Sequence, residues 1–241
     1  MPLRRSFVQK RQSGGGAGPL AKFVRARRGL ALDLYLLGRA VASHEPFDVA
    51  LHSQVWARAL GLAESESSRV TVSTNWSWLE QQRLIETVPR EGGRLRAIRF
   101  LREDGSGEPY SHPGSDRGDY FKLPYAYWEA YYPGRLALPA KALLLIALSL
   151  GEVFQLPQDR GARWYGLSRD TVARGLSTLL NLGLLEVRVE HRREPLSPSG
   201  FTQERHYALR PPFGRGLPPM AGGASVAAAR RAARQSDARE R

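Results

Sequence analysis

Apolar residues Leu30, Leu34, Leu37 and Val41 recur at helical spacing, and Ser43–Pro46 stops the helix they predict. Pro46–Ala50 reads as a short strand. Ser53 is placed to cap a second helix that runs to Leu60, where Gly61 ends it. From Ser68 a third helix puts Val72, Trp76 and Leu79 on one side. Ile85–Arg90 and Arg94–Leu101 then read as strands, and Glu91-Gly92-Gly93 between them supplies the positive φ of a tight hairpin.

The same order returns about a hundred residues later. Leu138–Leu150 predicts a buried helix with Pro139 in its first turn. Val153–Leu156 is a short strand, Asp159–Tyr165 a second helix and Ser168–Leu182 a third, burying Val172, Leu176, Leu179 and Leu180. Leu184–Arg193 and Glu204–Arg210 form a hairpin around the tip Glu194–Thr202. At a constant offset of 100, residues 68–86 and 168–186 share eight of nineteen positions: Ser68/Ser168, Arg69/Arg169, Thr71/Thr171, Val72/Val172, Ser77/Ser177, Leu79/Leu179, Leu84/Leu184 and Glu86/Glu186. A period that long means two copies of a small domain, since solenoid units run about 20–50 residues.

The expected fold is therefore α+β, with two winged helix-turn-helix domains at 29–102 and 120–210. Each has a three-helix core and a β-hairpin wing. Residues 103–119 are rich in Gly, Pro, Ser and Asp and read as a linker. Residues 1–28, basic and Gly-rich, read as a disordered arm; 211–241, Ala/Arg-rich, read as a disordered tail. The aromatic stretch Tyr120–Tyr132 is expected to pack rather than react.

Charge sharpens this division. The chain of 241 residues carries a net +13, but residues 1–28 hold eight Lys/Arg and no acid. Residues 211–241 hold six Arg against Asp237 and Glu240, so the middle, with 22 basic and 21 acidic residues, is nearly neutral. Within it, Arg83–Arg102 and Arg160–Arg210 each carry +4, the second half of each repeat. Local basic excess beside a helix-turn-helix pattern points to nucleic acid.

Helical phase then selects the residues that face outward. In the second copy these are Asp170, Thr171, Arg174, Ser177 and Thr178, with Arg169 in the first turn. In the first copy they are Val70, Thr71, Thr74, Ser77 and Trp78, with Arg69 in the first turn. Arginine matches O6 and N7 of guanine in the major groove, while Ser and Thr suit a base edge or a phosphate. Arg90, Arg94, Arg96 and Arg99 lie in or beside the first hairpin, and Arg188, Arg192, Arg193 and Arg205 in the second. There they are expected to neutralise phosphates. His191 and His206 come within reach of meeting across the second hairpin.

Gly166-Leu167-Ser168-Arg169-Asp170-Thr171-Val172-Ala173-Arg174-Gly175-Leu176, ending Gly183-Leu184-Leu185, resembles the recognition segment of GntR-type winged-helix regulators. The resemblance covers roughly 30 residues and implies operator contacts by Arg169, Thr171 and Arg174. Two features depart from that family: no effector-binding domain follows, and another unit precedes. Thr74 also stands where the second copy has Arg174. Tandem units of this kind are similar in architecture to replication initiators of plasmids and mobile elements.

Other chemistry is not suggested. There is no phosphate-binding Gly-rich loop ending in Lys-Ser/Thr, no HExxH and no Gly-x-Ser-x-Gly, so no enzyme is expected. His44, Glu45, Asp48 and His52 are broken up by Pro46 and suit no compact ligand set, so neither a metal nor a cofactor is expected. Zero cysteines exclude disulfides and thiolate zinc sites. The longest apolar stretch, Ala142–Leu150, is too short to span a bilayer, and Gly14–Gly18 falls where a signal peptide needs an apolar core. The expectation is a cytoplasmic, nucleoid-associated protein binding double-stranded DNA, as a monomeric pseudo-dimer or a homodimer.

Overall fold

A computed structural model describes residues 1–10, 16–89, 95–113, 119–156, 158–194 and 201–218, with the backbone alone at 158–160 and 192. In chain order, β1 is Pro2–Arg4, β2 Gln9–Lys10, β3 Gly16–Ala17, α1 Leu20–Arg25 and α2 Gly29–Val41. Next come β4 Asp48–Val49, α3 Ser53–Ala59, α4 Glu66–Gln81, β5 Ile85–Val88, β6 Ala97–Phe100 and β7 Tyr120–Lys122. The rest are α5 Ala126–Glu129, α6 Tyr132–Arg135, α7 Leu138–Leu150, α8 Gln158–Tyr165, α9 Arg169–Asn181, β8 Leu185–Arg193 and β9 Phe201–Leu209. The architecture is mixed α+β with small antiparallel sheets, and no helix among the described residues is long and apolar enough to cross a membrane.

The order helix, helix, helix, hairpin occurs twice, with a short strand after the first helix only in the first copy. In the first repeat β6 lies between β4 and β5, with Ile85 opposite Phe100 and Asp48 opposite Arg99. In the second, β8 and β9 pair from Leu185–Leu209 to Arg193–Phe201, and a lone bridge from Phe154 to Tyr207 stands in place of the expected strand Val153–Leu156. The offset of 100 survives in backbone geometry. Arg83 and Gly183 both take the left-handed conformation, at φ 57 and 67. After them the Leu84 and Leu184 amides donate back to the Leu79 and Leu179 carbonyls at 3.2 and 2.9 Å, closing each helix the same way.

The two helices begin differently. Ser168 accepts from the Thr171 amide at 3.2 Å and caps α9 where the sequence places the cap. In the first repeat Ser65, not Ser68, is the cap and accepts from the Ser68 amide at 3.2 Å. Hence α4 is about one turn longer, and Arg69 lies inside it instead of at its first position.

The described residues of 1–28, namely 1–10 and 16–28, do not form a disordered arm. Strand β1 pairs with β7, Leu3 opposite Phe121, and Leu3, Phe7, Val8, Leu20 and Phe23 are buried. Full burial of each such side chain stabilises by about 1.5–3 kcal/mol. Phe7 stacks on Tyr35 at 5.4 Å, and Phe23 meets Trp78 edge-on at 4.9 Å. Nor is 103–119 a linker over its described part. Glu103 is fully buried against Arg4 at 2.6 Å, and Tyr110 packs on Phe47 and under the Arg39 guanidinium. The C-terminal stretch also packs at its start, where Phe213 meets Tyr132 at 5.0 Å; residues 219–241 lie outside the described residues.

These additions weld the repeats together. Helix α2 is buried nearly all round, and Val41, expected on its inner face, is 49 % exposed. Leu34 and Leu37 do face the core as the spacing predicts, Val41 is the last residue of the helix, and α1, α4 and α7 cover further sides of α2.

Candidate nucleic-acid interface

Helix α4 packs with Val72, Asn75, Trp76 and Leu79 inward. Its outer face presents Arg69, Val70, Thr71, Ser73, Thr74 and Ser77, all exposed. With His52, Ser53, Gln54 and Arg58 of α3 this face lines an open groove of about 790 Å³. The α3 residues are an addition: their helix carried no periodic signal outward, and only the packing of α3 on α4 brings them alongside. Trp78 is not presented, being half-buried against Phe23 and Arg28.

The hydroxyls in this groove are already donating. Thr71 Oγ1 donates to the Ser67 carbonyl at 2.8 Å, Thr74 Oγ1 to Val70 at 2.9 Å, and Ser77 Oγ to Ser73 at 3.1 Å. Each keeps its lone pairs for a partner's donor. Arg69 is held by Glu66 one turn back.

Helix α9 buries Val172, Gly175, Leu176 and Leu179 and exposes Arg169, Asp170, Arg174 and Ser177. Thr171 departs from expectation. It is buried, and its hydroxyl lies 2.8 Å from Ser168 Oγ, so it belongs to the cap and faces no partner. The simple helical phase points it outward, but a first-turn hydroxyl folds back on its own cap. Arg174 is paired with Asp170 at 2.7 Å, both well exposed.

The wings are divided. Arg96 donates to the Thr87 carbonyl at 3.1 Å and Arg99 to Glu86 at 3.2 Å, while Arg90 and Arg94 lie outside the described residues. In the second hairpin Arg205 stands opposite Val189 and Arg193 opposite Phe201, all exposed on one face. On the other face Arg188 donates to the Pro218 carbonyl at 2.7 Å, and Glu190 stands directly opposite Glu204. Arg192 shares that face by register; its side chain lies outside the described residues. His206 sits 3.7 Å from Glu190 and 3.8 Å from Glu204. His191 meets Gln203 on the opposite face, so the two histidines do not meet. The face carrying Arg193 and Arg205 is therefore the better one for an anion.

Compared with known proteins, the chain matches no family model, no curated protein and no solved structure.

Proposed function

We propose that each repeat is a winged helix-turn-helix and that the chain binds duplex DNA sequence-specifically through α4 and α9, as a bacterial transcriptional regulator. The observation that carries this is the pair of helices α4 and α9. They end in the same left-handed turn, bury the same face, and each turns an exposed arginine-bearing face outward, at Arg69 and at Arg169 and Arg174. A helix of this size fits the B-form major groove, and the flanking arginines Arg96, Arg193 and Arg205 suit the phosphates beside it.

The two faces are unlike. The α4 groove offers hydroxyl lone pairs and two paired arginines, Arg58 with Glu64 and Arg69 with Glu66, whereas α9 offers two arginines and a carboxylate. One chain then acts as a pseudo-dimer on two half-sites of different sequence. The test is a salt titration on random duplex, followed by selection of preferred sequences from a random pool. No duplex binding at low salt discards the reading and leaves a protein-interaction module. A selected direct repeat that lies in a replication origin makes the chain an initiator instead.

A further inference from the structure

The turn that leads into each exposed-face helix contains a left-handed glycine, Gly61 at φ 71 before α4 and Gly166 at φ 64 before α9. Each glycine is covered from outside its own helix-turn-helix, Gly61 by Tyr131 and Gly166 by Arg25 together with Ala17 and Ala21. The Tyr131 hydroxyl lies against Gly61, and Arg25 Nη2 comes within 2.6 Å of where a Cβ on Gly166 would stand. Tyr131 follows α5 and Arg25 ends α1, so two unrelated segments put a polar head on the turn before each helix, four positions ahead of the cap at Gly61 and two at Gly166.

Both contacts lie in close packing, since the Tyr131 ring also rests on Gly134, yet Tyr131 and Arg25 themselves stay exposed. Tyr131 is 52 % exposed, yet its backbone is held at φ 55, a region that costs a bulky residue conformational energy. Arg25 is exposed, as are Lys22 and Arg27 beside it, and none of the three has a carboxylate partner among the described residues. Other cations of the same segment have partners: Arg4 is buried on Glu103, Arg5 lies near Asp119 at the surface, and Arg28 lies over Trp78. Of the three, Arg25 is the one that reaches the α8–α9 turn, at Gly166. Gly166 stands two positions before the cap Ser168, with Leu167 between them, a reach of at most about 7 Å.

We propose that Arg25 and Tyr131 are matched phosphate clamps, Arg25 gripping the DNA backbone beside α9 and Tyr131 donating its hydroxyl to the backbone beside α4. This rests on the DNA-binding reading above. A helix seated in a groove has a phosphate track along its entry turn, and donors there fix register without reading bases. The guanidinium brings charge and the phenol only a hydrogen bond, so the two clamps differ in their dependence on salt.

The experiment compares the full chain with Arg25→Gln and Tyr131→Phe on the selected duplex from 50 to 200 mM salt, with thermal melts to show unchanged folding. Arg25→Gln is expected to reduce the slope of log Kobs against log salt by about 0.9, so that the wild-type advantage shrinks about 3.5-fold over that range. Tyr131→Phe keeps the ring on Gly61; it is expected to leave the slope alone and weaken binding about threefold to tenfold. Both variants select the same sequence as wild type. A wild-type slope in Arg25→Gln, a wild-type affinity in Tyr131→Phe, or a changed sequence preference in either overturns the matched clamps while DNA binding stands. A wild-type chain that binds no duplex overturns both.

Discussion

Lys141 Nζ donates to Asp33 Oδ2 at 2.5 Å, joining α7 of the second repeat to α2 of the first where neither side chain is as much as a tenth exposed. The pair spans 108 residues of sequence and sits within the common apolar core. Removing one partner strands a buried charge, so Lys141→Met is expected to cost about 3–5 kcal/mol. Replacing both, Asp33→Leu with Lys141→Met, is expected to return most of that loss. Denaturant midpoints at constant m-value measure the difference.

Asp33 also predicts a pH dependence. Burial pushes its carboxyl up to about 6, against the pull of Lys141 and of the Tyr127 hydroxyl. Oδ1 and that hydroxyl nevertheless lack a partner at hydrogen-bonding geometry, so the pull from Tyr127 acts through space. A folded value above the unfolded 3.8 means that the native state binds this proton more readily. The contribution of the group to stability is then near zero above pH 7 and grows as pH falls through 6 towards 4, by about 2–3 kcal/mol. Tyr127, itself pushed up by burial, does not titrate in that window. Wild type should accordingly gain on Asp33→Asn by that amount between pH 7 and 4 in urea titrations. A gap that stays flat removes the assignment.

Gly175 separates packing from recognition on α9. A Cβ there would stand 2.7 Å from both Leu143 Cγ and the Pro139 carbonyl of α7. The carbonyl is backbone and cannot swing away, so Gly175→Ala is expected to destabilise by about 1–3 kcal/mol, although alanine favours helix by about 1 kcal/mol. Its selected DNA sequence should match that of wild type, because the substituted face is buried.

On the opposite face of the same helix, Asp170 holds Arg174 at 2.7 Å. An exposed pair of this kind contributes roughly 0.2–1 kcal/mol, so its effect on folding is slight. Its effect on a polyanion is larger, because Asp170 both occupies the guanidinium and repels phosphate. Asp170→Asn is therefore expected to strengthen binding to random duplex and to narrow the ratio between selected and random sequences. Arg174→Ala should instead relax preference at one base position and cost about 1–3 kcal/mol on the selected site. Competition binding at fixed salt reads both.

Elements with strong local patterns were legible in the sequence, and those held by distant partners were not. Helix α7 begins and ends where its apolar run and Pro139 place it, at Leu138 and Leu150. Val172, Leu176 and Leu179 of α9 turn inward as their spacing predicts, while Thr171 and Gly175 are buried without such a signal. The N-terminal segment was misread because Leu3, Phe7, Val8, Leu20 and Phe23 fall in a strand, a tight turn and a short helix, with no common period. Their partners also lie far away, as with Arg4 and Glu103, 99 residues apart. The match of Ser68 to Ser168 places the start of α4 at Ser68, three residues late. Only backbone geometry chose Ser65, extended at φ −135 and ψ 161. Arg25 and Tyr131 carried no signal of a site, since their positions beside Gly166 and Gly61 arise from tertiary packing.

The common core makes a further prediction about spacing on DNA. A flexible linker would let the two readers find half-sites at many separations. Here Asp33–Lys141, the β1–β7 pairing and the Phe23–Trp78 contact instead tie the repeats into one apolar cluster. Breaking those contacts to reposition one reader costs more than a second half-site returns, since loss of the buried pair alone is worth about 3–5 kcal/mol. The selected site should therefore have a fixed separation between its halves. Inserting five base pairs turns one half by about half a helical turn, because a turn takes about 10–10.5 base pairs. That duplex should bind like one with a single half-site, and a ten-base-pair insertion, which restores the face but lengthens the site, should not rescue it. Mobility-shift titrations of the three duplexes decide the matter. Equal affinity for all of them would show that the readers move independently and that the shared core opens on DNA.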